Sequence, residues 1–579
     1  MLLGNPANAI ATLGSFTATS FALSNAGALS VTGAVSAASL TIAGTISDGG
    51  AGTTRLTSTG AIAETGRLIA GTLTGSAALD ASFTGTNTIA NVGTFAANGF
   101  ILNDSTSLDI TGAVAGGGSI AVQSKNLLSI DGSVAAADVW LTGNSIAING
   151  NVAANLVTLT AAGTITGFGS LTTPTLTGTA GSADLAGANQ IDTLAAFTAA
   201  HDFLMRDARA LTVAGPLTAG GNVAIDVGVN TLTLPAGSAI AANSVALIGG
   251  NLTIDGSINA PSSVSLTSGS SIGIRGAITD GNLTTIAAGS IVETGTLNVG
   301  KLTGSAASAS FIGAGNNVAN LSGFITGGTL ALASNGSIGV IGNNAGSGLT
   351  IAAFSTVSAQ NNVAGGNIQL TAGGIITSGS NNAPRINLNA AGTVTVASGS
   401  FVSGQTPVPK GTITDAQVPG RGTPGLHVLA ANFDQTGTTT IAVPVILTID
   451  LTGAGVARFN NLQAPNSYLF LNLNAGSGGG QVNVANLHIT YQTVNPAGGV
   501  FTGLVGGQGG QPAASVATIG WPNSNYRLNA CAVGSVNCFV ISQVGAPIAS
   551  PLTDISIGPP SKDRDELDLI LPNVADRDY

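Results

Sequence analysis

One nine-residue phrase is written four times along the 579-residue chain. It reads NAIATLGSF at residues 8–16, NTIANVGTF at 87–95, NQIDTLAAF at 189–197 and NNVANLSGF at 316–324. An LTGSA or LTGTA block precedes each of the last three phrases, beginning at Leu73 ahead of Phe95, Leu176 ahead of Phe197 and Leu302 ahead of Phe324. A long-period repeat decides architecture before any residue-level chemistry, because stacked units bury a core that none could bury alone. Met1 falls inside the missing half of the first copy, and this predicts further coils encoded upstream.

Phe16, Phe95, Phe197 and Phe324, which close the four phrases, are unevenly spaced, each interval longer than the one before. Those intervals predict about four, five and six coils of ~20 residues in one continuous stack. A shorter period marks the coil: a β-branched residue or Leu, a small or polar residue, then Gly. It occurs as Ile110-Thr111-Gly112, Ile130-Asp131-Gly132 and Ile148-Asn149-Gly150. It returns as Val213-Ala214-Gly215, Leu234-Pro235-Ala236-Gly237, Ile254-Asp255-Gly256 and Ile274-Arg275-Gly276. Between these corners residues alternate with period two, as at 107–114 and 251–258, bounded by Gly, Asn and Asp, which tolerate the positive φ of sharp turns. No stretch sustains a helical period. An all-β solenoid is expected, with about 17 coils before residue 345 making a rod on the order of 80 Å.

Composition agrees. With 84 glycines but only 15 basic and 25 acidic residues, the chain lacks the surface charge of a conventional globule. A solenoid with Ser, Thr and Asn ladders outside and aliphatic ladders inside avoids that difficulty. Mean hydropathy is +0.44, yet no run of about 18 apolar residues exists and no transmembrane segment is expected. A transmembrane barrel would need aromatic girdles, and aromatics are 4%. Residues 1–6 show neither a basic nor an apolar leader region, so any export signal is expected upstream. A net charge of −10 without a basic stripe argues against nucleic acid as a partner.

Four regions are expected: β-helix repeats over 1–400, a Pro/Gly connector over 401–425, a β-rich region over 426–545 and an acidic tail over 546–579. Within the third, Cys531 and Cys538 sit between two short apolar arms around Gly-Ser-Val-Asn, which reads as a hairpin. Either a disulfide bridges it or two thiols stand unpaired. The tail gathers six acidic and three basic residues over 561–579, a solvated, self-repelling segment. Its Asp563, Asp565, Glu566 and Asp568 lack the ligand spacing of an EF-hand loop.

The Asn-x-[IV]-x-x-[LV]-x-x-Phe phrase, the LTGSA blocks and the Ile-Asp-Gly corners resemble the passenger repeats of filamentous-haemagglutinin-like exoproteins. The stretch PNSNYRLNACAVGSVNCFV, then PLTDISIGPP and LPNVADRDY, is similar to the ends of large alphaproteobacterial members. The resemblance implies a right-handed parallel β-helix exported by two-partner secretion, with an outer-membrane transporter as partner. It also implies a secreted or cell-surface location and an adhesin-like role toward a host or bacterial receptor or glycan. The family's amino-terminal secretion domain, with its Asn-Pro-Asn motifs, is not in this sequence.

Parallel β-helices also carry polysaccharide lyases and hydrolases, whose chemistry needs carboxylates or bases converging on a cleft. Here Glu64 and Glu293 occupy matching AETG and VETG positions, which suggests a ladder or turn role. His201, His427 and His488 are scattered singletons without an orienting partner. Asp48-Gly49-Gly50 reads as a turn, not as a Ca²⁺-binding nonapeptide. No catalytic residue, metal or cofactor is therefore expected. A polysaccharide-acting enzyme and a passive matrix filament are the alternatives, and a C-terminal toxin has too little chain after the cysteine hairpin.

Overall fold

The structure is a computed structural model. It describes residues 2–33 apart from 4, 6, 24–29 and 32, and residues 35–354 without interruption. Beyond these it describes 357–360, 362–377, 385–390, 393–402, 425–440, 445–451, 456–464, 469–475, 481–489, 493–494, 500–501, 526–530 and 539–543. The described chain is all-β, a parallel solenoid of about 18 turns. No helix in it is long and apolar enough to cross a membrane.

Each regular turn is three short strands joined by corners. Phe100–Asp104, Leu108–Ile110 and Ala113–Ala115 make one turn, and Ser119–Ser124, Leu127–Ile130 and Ser133–Ala135 make the next. Equivalent strands pair in parallel, Phe100 with Ile120, Leu108 with Leu128 and Val114 with Val134. Because side chains alternate across a strand, every second residue turns inward and stacks on its counterpart in the next turn. One inward ladder runs Phe100, Ile120, Val139, Val157, Leu176, Leu194, Val213. All seven are at most 1% exposed. Each such side chain contributes about 1.5–3 kcal/mol on burial, and only neighbouring turns supply that burial, so stability is built turn by turn.

Most of the expected Pro/Gly connector, 403–424, lies outside the described residues, and parallel pairing is present on both sides of it. Arg385 pairs with Gly425 and Thr393 with Asn432, and the ladders continue to Gln481–Ile489. The arms Tyr526–Ala530 and Phe539–Gln543 pair antiparallel, Ala530 opposite Phe539, and the second arm also pairs with Gln481–Ile489. Cys531, Cys538 and the acidic tail lie outside the described residues.

The corner glycines do a different job from the one their type suggests. Of those in the Ile-x-Gly series, Gly237 alone has a positive φ, +86°. Gly132, Gly150 and Gly276 stand against the preceding turn, and a β-carbon on any of them would overlap the carbonyl oxygen of Gly112, Gly132 or Gly256. They are needed for room. The close approach lets Gly132 N–H donate to the Ile110 carbonyl at 2.7 Å and Gly150 N–H to that of Ile130 at 2.6 Å, so the corner amides are satisfied by the turn beneath.

The phrase intervals also differ from whole coils. Phe16 reaches Phe95 in four register steps, through Val35, Leu56 and Gly75. From Phe95 the ladder passes Val114, Val134, Val152 and Leu171. Its next position is Asn189, one face short of Phe197. From Phe197 it passes Leu217, Ile240, Ile258, Ile278 and Leu297 and then meets Asn316, one face short of Phe324. The second, third and fourth phrases therefore sit on successive faces. What the phrase requires is a particular pair of adjacent turns, and any of the three faces can supply it.

Candidate functional surface and the buried framework behind it

Each of the last three phrases is assembled with its LTG block from two consecutive turns. The Gly of the LTG block lies directly beneath the Phe of the phrase, Gly75 under Phe95 and Gly178 under Phe197. A β-carbon at Gly178 would stand 2.9 Å from Phe197 Cε2, and one at Gly75 would stand 3.1 Å from Phe95 Cε2. The absent side chain below is what seats the ring above. Each ring then meets a second one: Phe16 with Phe21 at 4.8 Å, Phe95 with Phe100 at 5.0 Å, Phe197 with Phe203 at 4.9 Å and Phe324 with Phe311 at 5.5 Å. These aromatic pairs form plugs in an otherwise aliphatic core.

The leading asparagine of the phrase is buried and replaces missing ladder bonds. Asn87, Asn189 and Asn316 are at most 1% exposed. Their Oδ1 atoms accept from the backbone N–H of Leu68 at 2.7 Å, Leu171 at 3.1 Å and Leu297 at 2.8 Å in the turn below. Asn87 Nδ2 donates to the Phe83 and Asn103 carbonyls, and Asn189 Nδ2 to those of Leu185 and Arg206. Two residues on, the N–H of Ile89, Ile191 or Val318 is accepted by Asp104, Asp207 or Ser334 in the turn above. Three turns are stitched at each of the last three phrases by side chains that imitate backbone partners.

Glu64 and Glu293 belong to this framework. Both are fully buried. Glu64 Oε2 accepts from Gly85 N at 3.2 Å, and Glu293 Oε2 accepts from Gly313 N at 3.1 Å and Asn316 Nδ2 at 2.7 Å. Burial pushes the Glu64 carboxyl above the usual range, with the Asn87 amide and the Gly85 and Gly66 backbone opposing it. Asp207 is pushed up to about 6 by burial, against the backbone donors of Ile191, Ala208 and Arg209. Burial likewise raises Asp280. At the exposed corner, burial and the Asp131 charge raise Asp109, while donors Asn149 and Ser129 lower Asp131.

The outward positions form columns as regular as the core. One is Thr142, Thr160, Thr179, Thr198, Thr218. Another is Thr175, Thr193, Thr212, Thr233, Thr253. A third alternates aliphatic and polar side chains from turn to turn: Ile248, Thr267, Ile286, Ser305, Ile325, Asn344, Val363. Its aliphatic members are 37%, 36%, 56% and 40% exposed, so they stand proud of the surface. A shallow groove of about 890 Å³ follows one edge of the rod between Ser58 and Ala153, floored by Ala77, Ala97, Gly116 and Ala136. Some exposed charges pair locally, Arg275 with Asp255 at 2.9 Å and Arg209 with Asp192 at 3.7 Å.

His201 lies exposed at a corner, whereas His427 and His488 sit on separate strands, 425–430 and 481–489. Among the described residues no group of three or more His, Cys, Asp or Glu side chains could hold a metal ion. No protein-family model, curated protein or solved structure matches this chain. The buried stitching residues Asp104, Asp207 and Ser334 were hidden in the sequence, because each follows an ordinary strand and precedes an ordinary turn. The available signal was their nearly constant offset from the phrase asparagine, Asn87 to Asp104, Asn189 to Asp207 and Asn316 to Ser334.

Proposed function

We propose that the chain is an adhesin-like rod, secreted or held at a cell surface, that mediates attachment or aggregation through its outward columns. The observation that carries this reading is the periodic Ile248-to-Val363 column. It repeats an aliphatic contact every second turn, roughly 10 Å apart at the parallel-strand spacing. Weak contacts repeated at fixed spacing suit a repetitive partner such as a cell-surface glycan or matrix polymer, because linked contacts bind with avidity beyond any one of them. The likeness of the repeats to filamentous-haemagglutinin-like exoproteins supports the same role, with export through an outer-membrane two-partner-secretion transporter.

Purified full-length chain applied to host cells, bacteria and immobilised glycans tests the proposal. Saturable binding, competed by unlabelled protein, is expected. Non-saturable adsorption on every surface would instead favour a passive matrix filament. Depolymerisation of a bound polysaccharide would move the reading to an enzyme on the same scaffold.

A further inference from the structure

Trp140 is the one aromatic side chain that points outward from a strand among the residues whose exposure the structure describes. Phe16 packs inward against Phe21, and Phe168 and Phe354 stand on corners. Trp140 is 36% exposed. Its column runs Ser82, Ile101, Ala121, Trp140, Thr158, Thr177. Ala121 below and Thr158 above are both too small to cover an indole. Nothing in the fold requires one there, because the core on this strand is built by Val139 and Leu141.

The side chains around the indole are polar and unspent. Asp138 and Thr142 share its strand and its face, roughly 7 Å to either side. Gln123 and Thr160 stand diagonally in the turns below and above. Among the described residues none of these four makes a side-chain hydrogen bond or an ion pair, whereas Ser129 and Asn149 both spend a donor on Asp131. Asp138 is the only charge on the outward face of strands 119–124, 138–143 and 156–161. An apolar plane ringed by hydroxyl, amide and carboxylate groups complements a pyranose, which has a C–H face and a rim of hydroxyls. The indole takes the C–H face, and the carboxylate accepts from the hydroxyls in charge-assisted bonds. A lipid surface needs a broad apolar face and an anionic polymer needs cations, and these strands offer neither. Ile101, 44% exposed, stands two turns below the indole, about 10 Å away. That interval is comparable with the repeat of an extended β-1,4-linked disaccharide.

We propose that Trp140 is the platform of a glycan site. The indole stacks on one ring of a neutral β-1,4-linked polysaccharide lying along the rod, Asp138 accepts from that sugar's hydroxyls, and Ile101 contacts the sugar two places on. The proposal rests on the reading that the rod attaches to a surface or matrix polymer. It names the chemical class of that polymer and places a contact on a column separate from the one that runs from Ile248 to Val363.

Tryptophan emission reads the site directly in the full chain carrying Trp521→Phe, which leaves Trp140 as the sole tryptophan. The probes are hexasaccharides of β-1,4-linked glucose, N-acetylglucosamine and xylose. At least one is expected to shift the emission saturably and to shield the indole from acrylamide quenching. Asp138→Ala should weaken that binding at least tenfold, and Thr233→Ala, several turns along the rod, should leave it unchanged. Titration calorimetry on the chain with Trp521 in place should show at least tenfold weaker binding in Trp140→Ala than in the unmodified protein. Affinity retained in Trp140→Ala, or shielding by phosphatidylcholine–phosphatidylglycerol vesicles in place of the sugars, overturns the proposal. Absence of shielding by all three probes, while the chain still attaches saturably to cells, overturns this site and leaves the attachment reading standing; loss of saturable attachment as well overturns both.

Discussion

Replacing Gly178 by alanine isolates the contact that seats a phrase. The new β-carbon would stand 2.9 Å from Phe197 Cε2, inside normal carbon contact, and would overlap the Leu159 carbonyl. Overfilling a packed site of this kind costs about 1–3 kcal/mol. Gly178, unlike Gly75 with its φ of +154°, does not have a positive φ, so the cost is steric and not conformational. Stability in a solenoid is held between neighbouring turns, and the loss should appear locally, as faster amide exchange at 156–161, 170–180 and 193–199. A cost of about 1–3 kcal/mol corresponds to roughly 5- to 150-fold faster exchange there. Phe197→Leu alone also loosens these turns, since it opens space beside Phe203. Combined with Gly178→Ala it should relieve part of the clash. The two changes are then expected to couple favourably by about 1 kcal/mol in a double-mutant cycle, while the overlap with Leu159 persists. Additivity within about 0.5 kcal/mol would mean that the glycine and the ring do not form one unit, and the account of the repeat would fail.

Asn87→Ala strands the Leu68 amide and frees two carbonyls, and should cost about 2 kcal/mol, read from local exchange or from the denaturant midpoint. Gly276→Ala should be destabilising because its β-carbon meets the Gly256 carbonyl, whereas Gly237→Asn should be nearly neutral, since that site has positive φ and open space. Thermal unfolding of the two variants separates room from conformation. For Asp207 the folded form binds its proton more tightly than the unfolded chain, so its contribution is full below pH ~4 and is lost as pH rises through about 6. At this site, 4% exposed, the swing is on the order of 3 kcal/mol, measurable as a falling denaturant midpoint between pH 4 and pH 7. Ile286→Lys with Ile325→Lys should leave stability within about 0.5 kcal/mol and weaken saturable attachment at least tenfold; unchanged attachment would remove the column from the proposed function.

The parallel stack, its coil length and the stacking of aliphatic residues were legible because period-two alternation and a regular corner leave local marks. Phe100, Ile120 and Val139 can be aligned from the sequence alone. The change of face between phrases was not legible. It depends on where the Leu-Thr-Gly block removes or creates a corner, and a distance in residues does not distinguish five turns from five turns and a face. Ile-x-Gly likewise hides two physical demands, close approach at Gly276 and positive φ at Gly237, behind one spelling. Glu64, read from its AETG match to Glu293 as a ladder or turn residue, does stand in a ladder between Ile42 and Phe83; its burial was not legible, because the turns that enclose it are far from it in sequence. The aliphatic outer column left a trace that could have been followed. Ile248 after Leu247, and Ile286 after two threonines, break the alternation, and the break returns at almost the same interval at Ile325 and Val363.

An unbroken register across the phrases is the claim on which everything else rests. Spin labels placed on one outward column measure it directly: Ser129 paired with Ala246, then Ser129 paired with Thr303. The column runs Ser129, Ala147, Thr166, Asp184, Leu204, Ala224, Ala246, Ser265, Thr284, Thr303. At about 4.8 Å per turn the two backbone separations should be roughly 29 and 43 Å. Distances that rise in that proportion place all ten positions on one ladder through the third phrase. Equal distances, or a second distance shorter than the first, would contradict the continuous stack.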